Sequence, residues 1–369
     1  MKKKRIGIDA RLISQTGVGR YIYNLIAQLI PLCSQEYDLY IYVRSSDEHL
    51  IHEFAEKVTI RISNYQWHSW KEQFGFYRRI MKDKLDLMHF TYFSYPILYR
   101  RPFVITIHDL TPLTHMTGKA STKHPAVYKA KFFAYQIALR VGIMNASAVI
   151  VPAQSVRDEI LSLFRIPASR IHVTYEGVGS ALLQSSPSAT SPREKPYFLY
   201  VGNFYPHKNV IKLIDAFSHI KEDCELVLVG AHDHFSSHVT SRIKDLHLES
   251  RVHMVGRVGD DELVDLYAHA QALVHPSLAE GFGLTTLEAL YFKTPVIASR
   301  IPLFEEVLGD SFTPIDPLDE YSISEALQDH LAHTHTPTLS PSDITNRYSF
   351  EKMAQETRTI YQSCLPHTR

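Results

Sequence analysis

The chain has 369 residues, 45% hydrophobic and 21% charged, with a formal net charge of zero. That length exceeds what one hydrophobic core organises and predicts two domains of an ordinary soluble globular protein, while zero net charge without a recognised nucleic-acid module excludes nucleic acid as a partner. Three cysteines, Cys33, Cys224 and Cys364, lie far apart with no Cys-x-x-Cys pair, which argues against a disulfide framework or a zinc site and fits a cytoplasmic setting.

The basic start Met1-Lys2-Lys3-Lys4-Arg5 leads into a short strand-like Ile6–Asp9, so no secretory signal is expected. No uncharged apolar run approaches the ~18 residues of a membrane span. Strand-like runs at Arg5–Asp9, Leu39–Val43, Val58–Ile62, Leu87–Phe90, Phe103–Ile107 and Ala148–Pro152 alternate with helical segments, the first from Gly19 with Tyr21, Leu25 and Leu29 on one face. Strand, helix, strand in repetition predicts a doubly wound parallel sheet. After the first strand, Gly17 and Gly19 permit a tight turn against a phosphate or sugar. Ile22 stands where a dinucleotide fingerprint has its third glycine, and no acidic residue ends the next strand, so a nicotinamide site is not expected.

Residues 67–82 and 123–140 mix aromatic and basic side chains at helical spacing. Two readings stay open: contact with an anionic bilayer, or helices docked on the first sheet with solvated basic faces. His108, with Asp109, closes the apolar run Val104–Ile107 at the mouth of that sheet and is a functional candidate; His89, ending a neighbouring strand, is a lesser one. No histidine has ligand spacing and there is no Asp-x-Asp pair, so neither a metal nor another cofactor is expected. Residues 1–180 hold 24 Lys and Arg against 14 Asp and Glu, and residues 181–369 hold 15 against 25. The asymmetry suggests that the first half faces an anionic surface or acceptor, or that the two halves attract one another.

The Ser/Pro-rich stretch 185–193 reads as a linker, placing a first domain at 1–180, the linker at 181–196 and a second domain at 197–345. Strand-like runs restart at Tyr197–Val201, Leu226–Val229, Val252–Val255, Ala272–His275, Pro295–Ala298 and Phe312–Pro314, predicting a second parallel sheet. Such sheets bind ligands outside the carboxyl ends of their strands, so two of them are expected to face a central cleft. Lys208, after Gly202-Asn203-Phe204-Tyr205-Pro206-His207 and just before a helix, suits a diphosphate leaving group. Asp260, Asp261 and Glu262 are placed to cap or charge the start of the next helix.

The most informative run is Pro276-Ser277-Leu278-Ala279-Glu280-Gly281-Phe282-Gly283-Leu284-Thr285-Thr286-Leu287-Glu288. An apolar strand stopped by proline passes through a glycine turn into a helix, whose free N–H groups suit a diphosphate. Carboxylates beside such a site must point at hydroxyls, and those of a sugar and a ribose are natural donors.

This run resembles the E-x7-E signature of retaining glycosyltransferases of family 4, which have two Rossmann-like domains in the GT-B architecture. The resemblance extends from Ile8-Asp9-Ala10-Arg11 to Glu305-Glu306-Val307-Leu308-Gly309-Asp310 and is greatest to the bacterial mannosyltransferase-type branch. It implies metal-independent transfer of a hexose, mannose favoured, from a GDP- or UDP-linked donor to a saccharide or lipid-linked acceptor hydroxyl, with its anomeric configuration kept. Glu280 is then expected on the donor sugar and Glu288 on the ribose. His108 falls to the sugar's far edge, Lys208 and the N–H groups after Gly283 to the diphosphate, and Arg257 and Val258 to the base. Gly17, Gly19, Asn203, Gly281, Phe282, Leu284 and Thr285 complete the donor site. Asn203 and His207 stand where related sequences carry arginine, which leaves more of the charge to Lys208. A terminal helix over 346–369 is expected to cross back to the first domain. The remaining alternatives are a sugar-nucleotide epimerase of the same architecture and a silent sugar-nucleotide-binding subunit. The cysteine usage makes the cytoplasm the default setting, and the basic first half leaves open a peripheral contact with the inner face of the cell membrane.

Overall fold

The computed structural model describes residues 3–114 and 125–365, the side chains of 114–131 excepted. Contacts divide the chain into two units: most residues up to Glu176 together with the chain from Phe350 form the first, and Gly177–Ser349 form most of the second.

The first unit holds seven parallel strands: β1 (Lys4–Asp9), β2 (Tyr37–Val43), β3 (Thr59–Ile62), β4 (Leu87–Phe90), β5 (Phe103–Thr106), β6 (Ala148–Val151) and β7 (Ile171–Val173), in the order β3-β2-β1-β4-β5-β6-β7. The second holds β8 (Tyr197–Val201), β9 (Glu225–Val229), β10 (Val252–Gly256), β11 (Ala272–His275), β12 (Val296–Ser299) and β13 (Thr313–Ile315), in the order β10-β9-β8-β11-β12-β13. Helices cover both faces of such sheets, so the strands read as continuous apolar runs, and Phe198, Leu199, Leu226, Val227, Leu273 and Val274 are wholly buried. The strand order reverses between β1 and β4 and again between β8 and β11. Those reversals are where a doubly wound sheet opens a crevice beyond its carboxyl ends.

The helix expected from Gly19 begins at Gly17 and runs to Cys33. A Cβ on Gly19 would run into the Ile13 carbonyl, so the turn needs glycine there. Of residues 67–82, the stretch 70–82 is helical without a break, with Glu72–Phe76 wound as a π-helical turn that continues into the α-helical Tyr77–Lys82. The Ser/Pro stretch is held to the second unit, where Ser185 Oγ donates to Asp261 Oδ1 (3.0 Å) and Ser188 N–H to Asp265 Oδ1 (2.6 Å). The helix Asp260–His269 has Gly259 as its N-cap and no side chain caps it; Asp260, Asp261 and Glu262 sit in its first turn instead.

The last helix, Phe350–Cys364, packs on Gly17–Cys33 in the first unit. Tyr361 Oη lies 2.6 Å from His89 Nδ1, and Thr106 Oγ1 lies 2.7 Å from His89 Nε2. Thr106 Oγ1 is also 3.0 Å from Tyr21 Oη. His89 is therefore a satisfied core histidine, and burial pushes its pKa down to about 3.

Candidate functional site

At the reversal in the second sheet, the chains leaving β8 and β11 are tied together. Leu278 N–H donates to the His207 carbonyl (2.7 Å), and Asn209 Nδ2 donates to the carbonyls of Pro276 (3.2 Å) and Pro317 (2.7 Å). Asn209 adopts φ +60°, a left-handed conformation that asparagine tolerates better than most residues. This brace sets Lys208, which ends the short turn Pro206–Lys208, beside the loop that carries Glu280.

Lys208 Nζ pairs with Glu280 Oε1. His275 Nε2 lies 2.6 Å from the same oxygen, and Ser277 Oγ donates to it over 2.9 Å. Among the described residues, no donor bonds Glu280 Oε2. The side chains are 15% (Lys208), 8% (Glu280) and 3% (His275) exposed. Burial alone would push the Glu280 carboxyl up, but Lys208 and His275 together hold it well below the usual carboxylate range. The site is therefore an ionised carboxylate with one oxygen held by three donors and the other turned to none.

The helix Leu284–Tyr291 starts at Gly283, whose φ of +79° requires glycine; a Cβ there would also meet Phe304 at 2.7 Å. No side chain caps this helix, so the N–H groups of Leu284 and Thr285 in its first turn carry its positive end. Phe282 turns inward, edge-on to Tyr348 with ring centroids 5.8 Å apart. Glu288 is wholly buried and accepts from Tyr267 Oη at 2.9 Å. Asn203 Oδ1 accepts from Tyr205 N–H at 3.3 Å, while Arg257, just past β10, is exposed and Val258 half-buried.

The remaining candidates belong to the first unit. His108 is buried beyond the end of β5, with Nε2 2.9 Å from the Thr91 carbonyl and Nδ1 3.5 Å from Glu176 Oε1. Gly17 opens the first helix with free space around it. Of residues 123–140, Lys123 and His124 lie outside the described residues, as do the side chains of Lys129 and Lys131, while Phe133 is exposed. No helix among the described residues is long and apolar enough to cross a membrane.

The structure thus brings together Lys208, Glu280 and the Gly281–Thr285 turn, and adds three residues that the sequence reading had not singled out: His275, Ser277 and Asn209. His275 was detectable by the criterion applied to His108, a histidine at the carboxyl end of an apolar strand.

The sequence pattern described as "Glycosyl transferases group 1" matches residues 151–337, and the one described as "Glycosyltransferase Family 4" matches residues 15–181. The O-antigen chain mannosyltransferase RfbU of Salmonella typhimurium is 28% identical over 265 residues, covering 72% of this chain and 70% of the relative. The O-antigen chain mannosyltransferase B of Escherichia coli is 28% identical over 274 residues, covering 70% of each. Among solved structures, Anabaena HepE in complex with UDP and glucose superposes with a TM-score of 0.76 at 18% identity, covering 98% of this chain and 100% of that one. WaaG, a glycosyltransferase involved in lipopolysaccharide biosynthesis, does so with a TM-score of 0.69 at 13% identity, covering 96% and 95%. Both share the GT-B fold. With its pattern spanning half of the sequence, the chain belongs to the glycosyl transferases group 1 family.

Proposed function

We propose that this glycosyltransferase moves a hexose, mannose favoured, from a nucleotide-diphosphate donor to a saccharide or lipid-linked acceptor hydroxyl, retaining the anomeric configuration without a metal. The observation that carries the reading is the half-open Glu280 carboxylate beside Lys208 and an uncapped helix start. Charge grows on the departing diphosphate, and Lys208 with the Leu284 and Thr285 N–H groups supplies fixed positive potential there. Glu280 Oε2, an acceptor without a donor, suits a sugar hydroxyl. The names of two relatives, both O-antigen chain mannosyltransferases, support mannose, and a neighbour solved with UDP-glucose supports a nucleotide-linked donor.

Glu288 is assigned the ribose. Because its side chain is wholly buried, a ribose reaches it only by displacing what covers it. Arg257 and Val258 are assigned the base; Gly17, Gly19 and Asn203 complete the donor contacts, and His108 is assigned the transferred sugar. The basic first unit is assigned a peripheral contact with an anionic bilayer on the cytoplasmic side. Trp70 and Phe74, 80% and 54% exposed, stack at 6.3 Å among exposed Lys71, Arg78 and Lys82.

The test is a panel of GDP- and UDP-linked hexoses with saccharide acceptors, read by NMR of the product's anomeric centre and repeated with EDTA. Retained configuration and undiminished turnover in chelator support the reading. Inversion, or activity lost to EDTA and restored by a divalent cation, refutes it; donor isomerised without an acceptor identifies an epimerase. Cosedimentation with anionic vesicles tests the membrane contact, which should weaken as the Debye length falls from ~10 Å at 0.1 M salt to ~3 Å at 1 M.

A further inference from the structure

His275 lies wholly inside the candidate site, yet no role assigned above uses it. Its Nε2 is 2.6 Å from Glu280 Oε1, and an ionised carboxylate only accepts, so Nε2 carries the proton. Nδ1 faces Thr285 Oγ1 at 3.5 Å, too far to fix a proton there. The ring is held by Tyr200, stacked at 6.2 Å and 18°, and by Phe304, edge-on at 5.5 Å and 87°. These contacts leave one orientation in which Nε2 meets Glu280.

Lys208 bonds the same oxygen, and this sets up a conflict. The lysine that neutralises Glu280 in the free protein is also the one assigned to the diphosphate. If it turns to the diphosphate, a buried carboxylate loses its cation, a state that is costly unless other donors remain. His275 and Ser277 are the donors that remain.

We propose that His275 is a positioning residue: through Nε2–H it holds Glu280 in place independently of Lys208, so that the lysine can engage the leaving diphosphate while the carboxylate keeps the sugar. The inference rests on the transferase reading. His275 itself touches neither sugar nor nucleotide, so its loss acts on turnover and not on the affinity for free nucleotide.

The experiment compares His275→Phe, which keeps a flat ring between Tyr200 and Phe304 but has no donor, with His275→Gln, whose amide can donate. Each is assayed with whichever of GDP-mannose and UDP-glucose the wild type turns over. His275→Phe should lower kcat about ten- to a hundredfold, the range for one hydrogen bond to a charged group. GDP or UDP affinity should stay within about twofold of wild type, and His275→Gln should recover most of the loss. A Phe variant with wild-type kcat, or one that weakens free nucleotide as much as turnover, overturns the proposal.

A second readout does not depend on turnover. The 15N spectrum of the His275 imidazole in the free protein should show the Nε2–H tautomer, vanish in His275→Phe and persist in Lys208→Ala. An Nδ1–H tautomer, or one that changes when Lys208 is removed, overturns the proposal. If the wild type turns over no donor of the GDP- and UDP-hexose panel, the transferase reading fails, and this spectrum alone decides whether His275 holds Glu280.

Discussion

The strand reversals of the two sheets carry the same ingredients, buried carboxylates and a cation just past the end of a strand, in two different states of completion. Past β1, Arg11 Nε and Nη2 donate to the two oxygens of Asp9 at 2.9 and 2.7 Å, and Nη2 also reaches Glu72 Oε1 at 2.8 Å. Ser94 Oγ lies within 2.9 Å of both Glu72 oxygens, and the His68 N–H donates to Oε2 at 3.0 Å. Every carboxylate oxygen there has a donor, and the guanidinium lies 3.8 Å over the Phe76 ring. Past β11, Glu280 has three donors on one oxygen and none on the other among the described residues. Burial and charge alone do not separate a structural cluster from a binding site. The donor count on each oxygen does: the closed cluster fixes the chain after β1 to the π-helical turn, and the open one has capacity left for a ligand.

The largest expected effect falls on the closed cluster. Arg11→Ala strands Asp9 and Glu72 as unpaired buried charges and should cost ~3–5 kcal/mol of stability, read as a lowered denaturation midpoint of the first unit. A variant as stable as wild type would mean that this cluster is as open as the second. Next comes Lys208→Ala, which should lower turnover at least ~10²-fold, or ~2.7–4 kcal/mol, because it removes a preorganised charge from a developing anion. Its denaturation midpoint should move far less than that of Arg11→Ala; the reverse ranking would erase the distinction between the clusters.

Smaller effects sharpen the division within the second unit. Glu280→Gln should impair sugar transfer more than nucleotide binding, and Glu288→Ala should weaken free nucleoside diphosphate by ~1.5–3 kcal/mol, the range for hydrogen bonds to a charged group. Calorimetry with the diphosphate alone checks this, and equal affinities in the two variants would contradict it. The smallest effect is in pH. His89 has its folded pKa lowered to about 3 by burial, so between its ordinary value near 6.5 and about 3 the unfolded chain binds the extra proton. Stability that is complete above about pH 6.5 should therefore fall as the pH drops through that window, by at most ~1.4 kcal/mol per pH unit from this group. Urea titrations of wild type and His89→Gln test it: the variant should lose less stability across the window, and parallel curves would remove His89 as a source.

Strands were legible in the sequence because parallel strands buried on both faces leave unbroken apolar runs, and Phe103–Thr106 and Ala148–Val151 lie within one residue of where those runs predict them. The glycine turn and both glutamates stood out because their chemistry is local. What stayed hidden joins distant residues. Glu72 meets Arg11 from 61 positions away, Lys208 meets Glu280 from 72, and no periodicity encodes such pairings. The π-helical turn at Glu72–Phe76 escaped for the same reason, since what pins its glutamate is Arg11 and Ser94. His275 lay in plain view as the end of an apolar run, but its purpose depends on which oxygen it faces.

The bond between His89 and Tyr361 spans 272 positions and has a consequence for how the protein is made. During synthesis Gly177–Ser349, most of the second unit, emerges after the sheet of the first is complete and before the helix Phe350–Cys364 that covers it. The nascent first unit must wait with a buried imidazole short of its partner and an uncovered apolar face on Gly17–Cys33, an invitation to chaperones. A message that terminates before codon 350 would encode Lys208, His275 and Glu280 intact and still yield a defective protein, with the damage at the opposite end of the sequence from the missing residues.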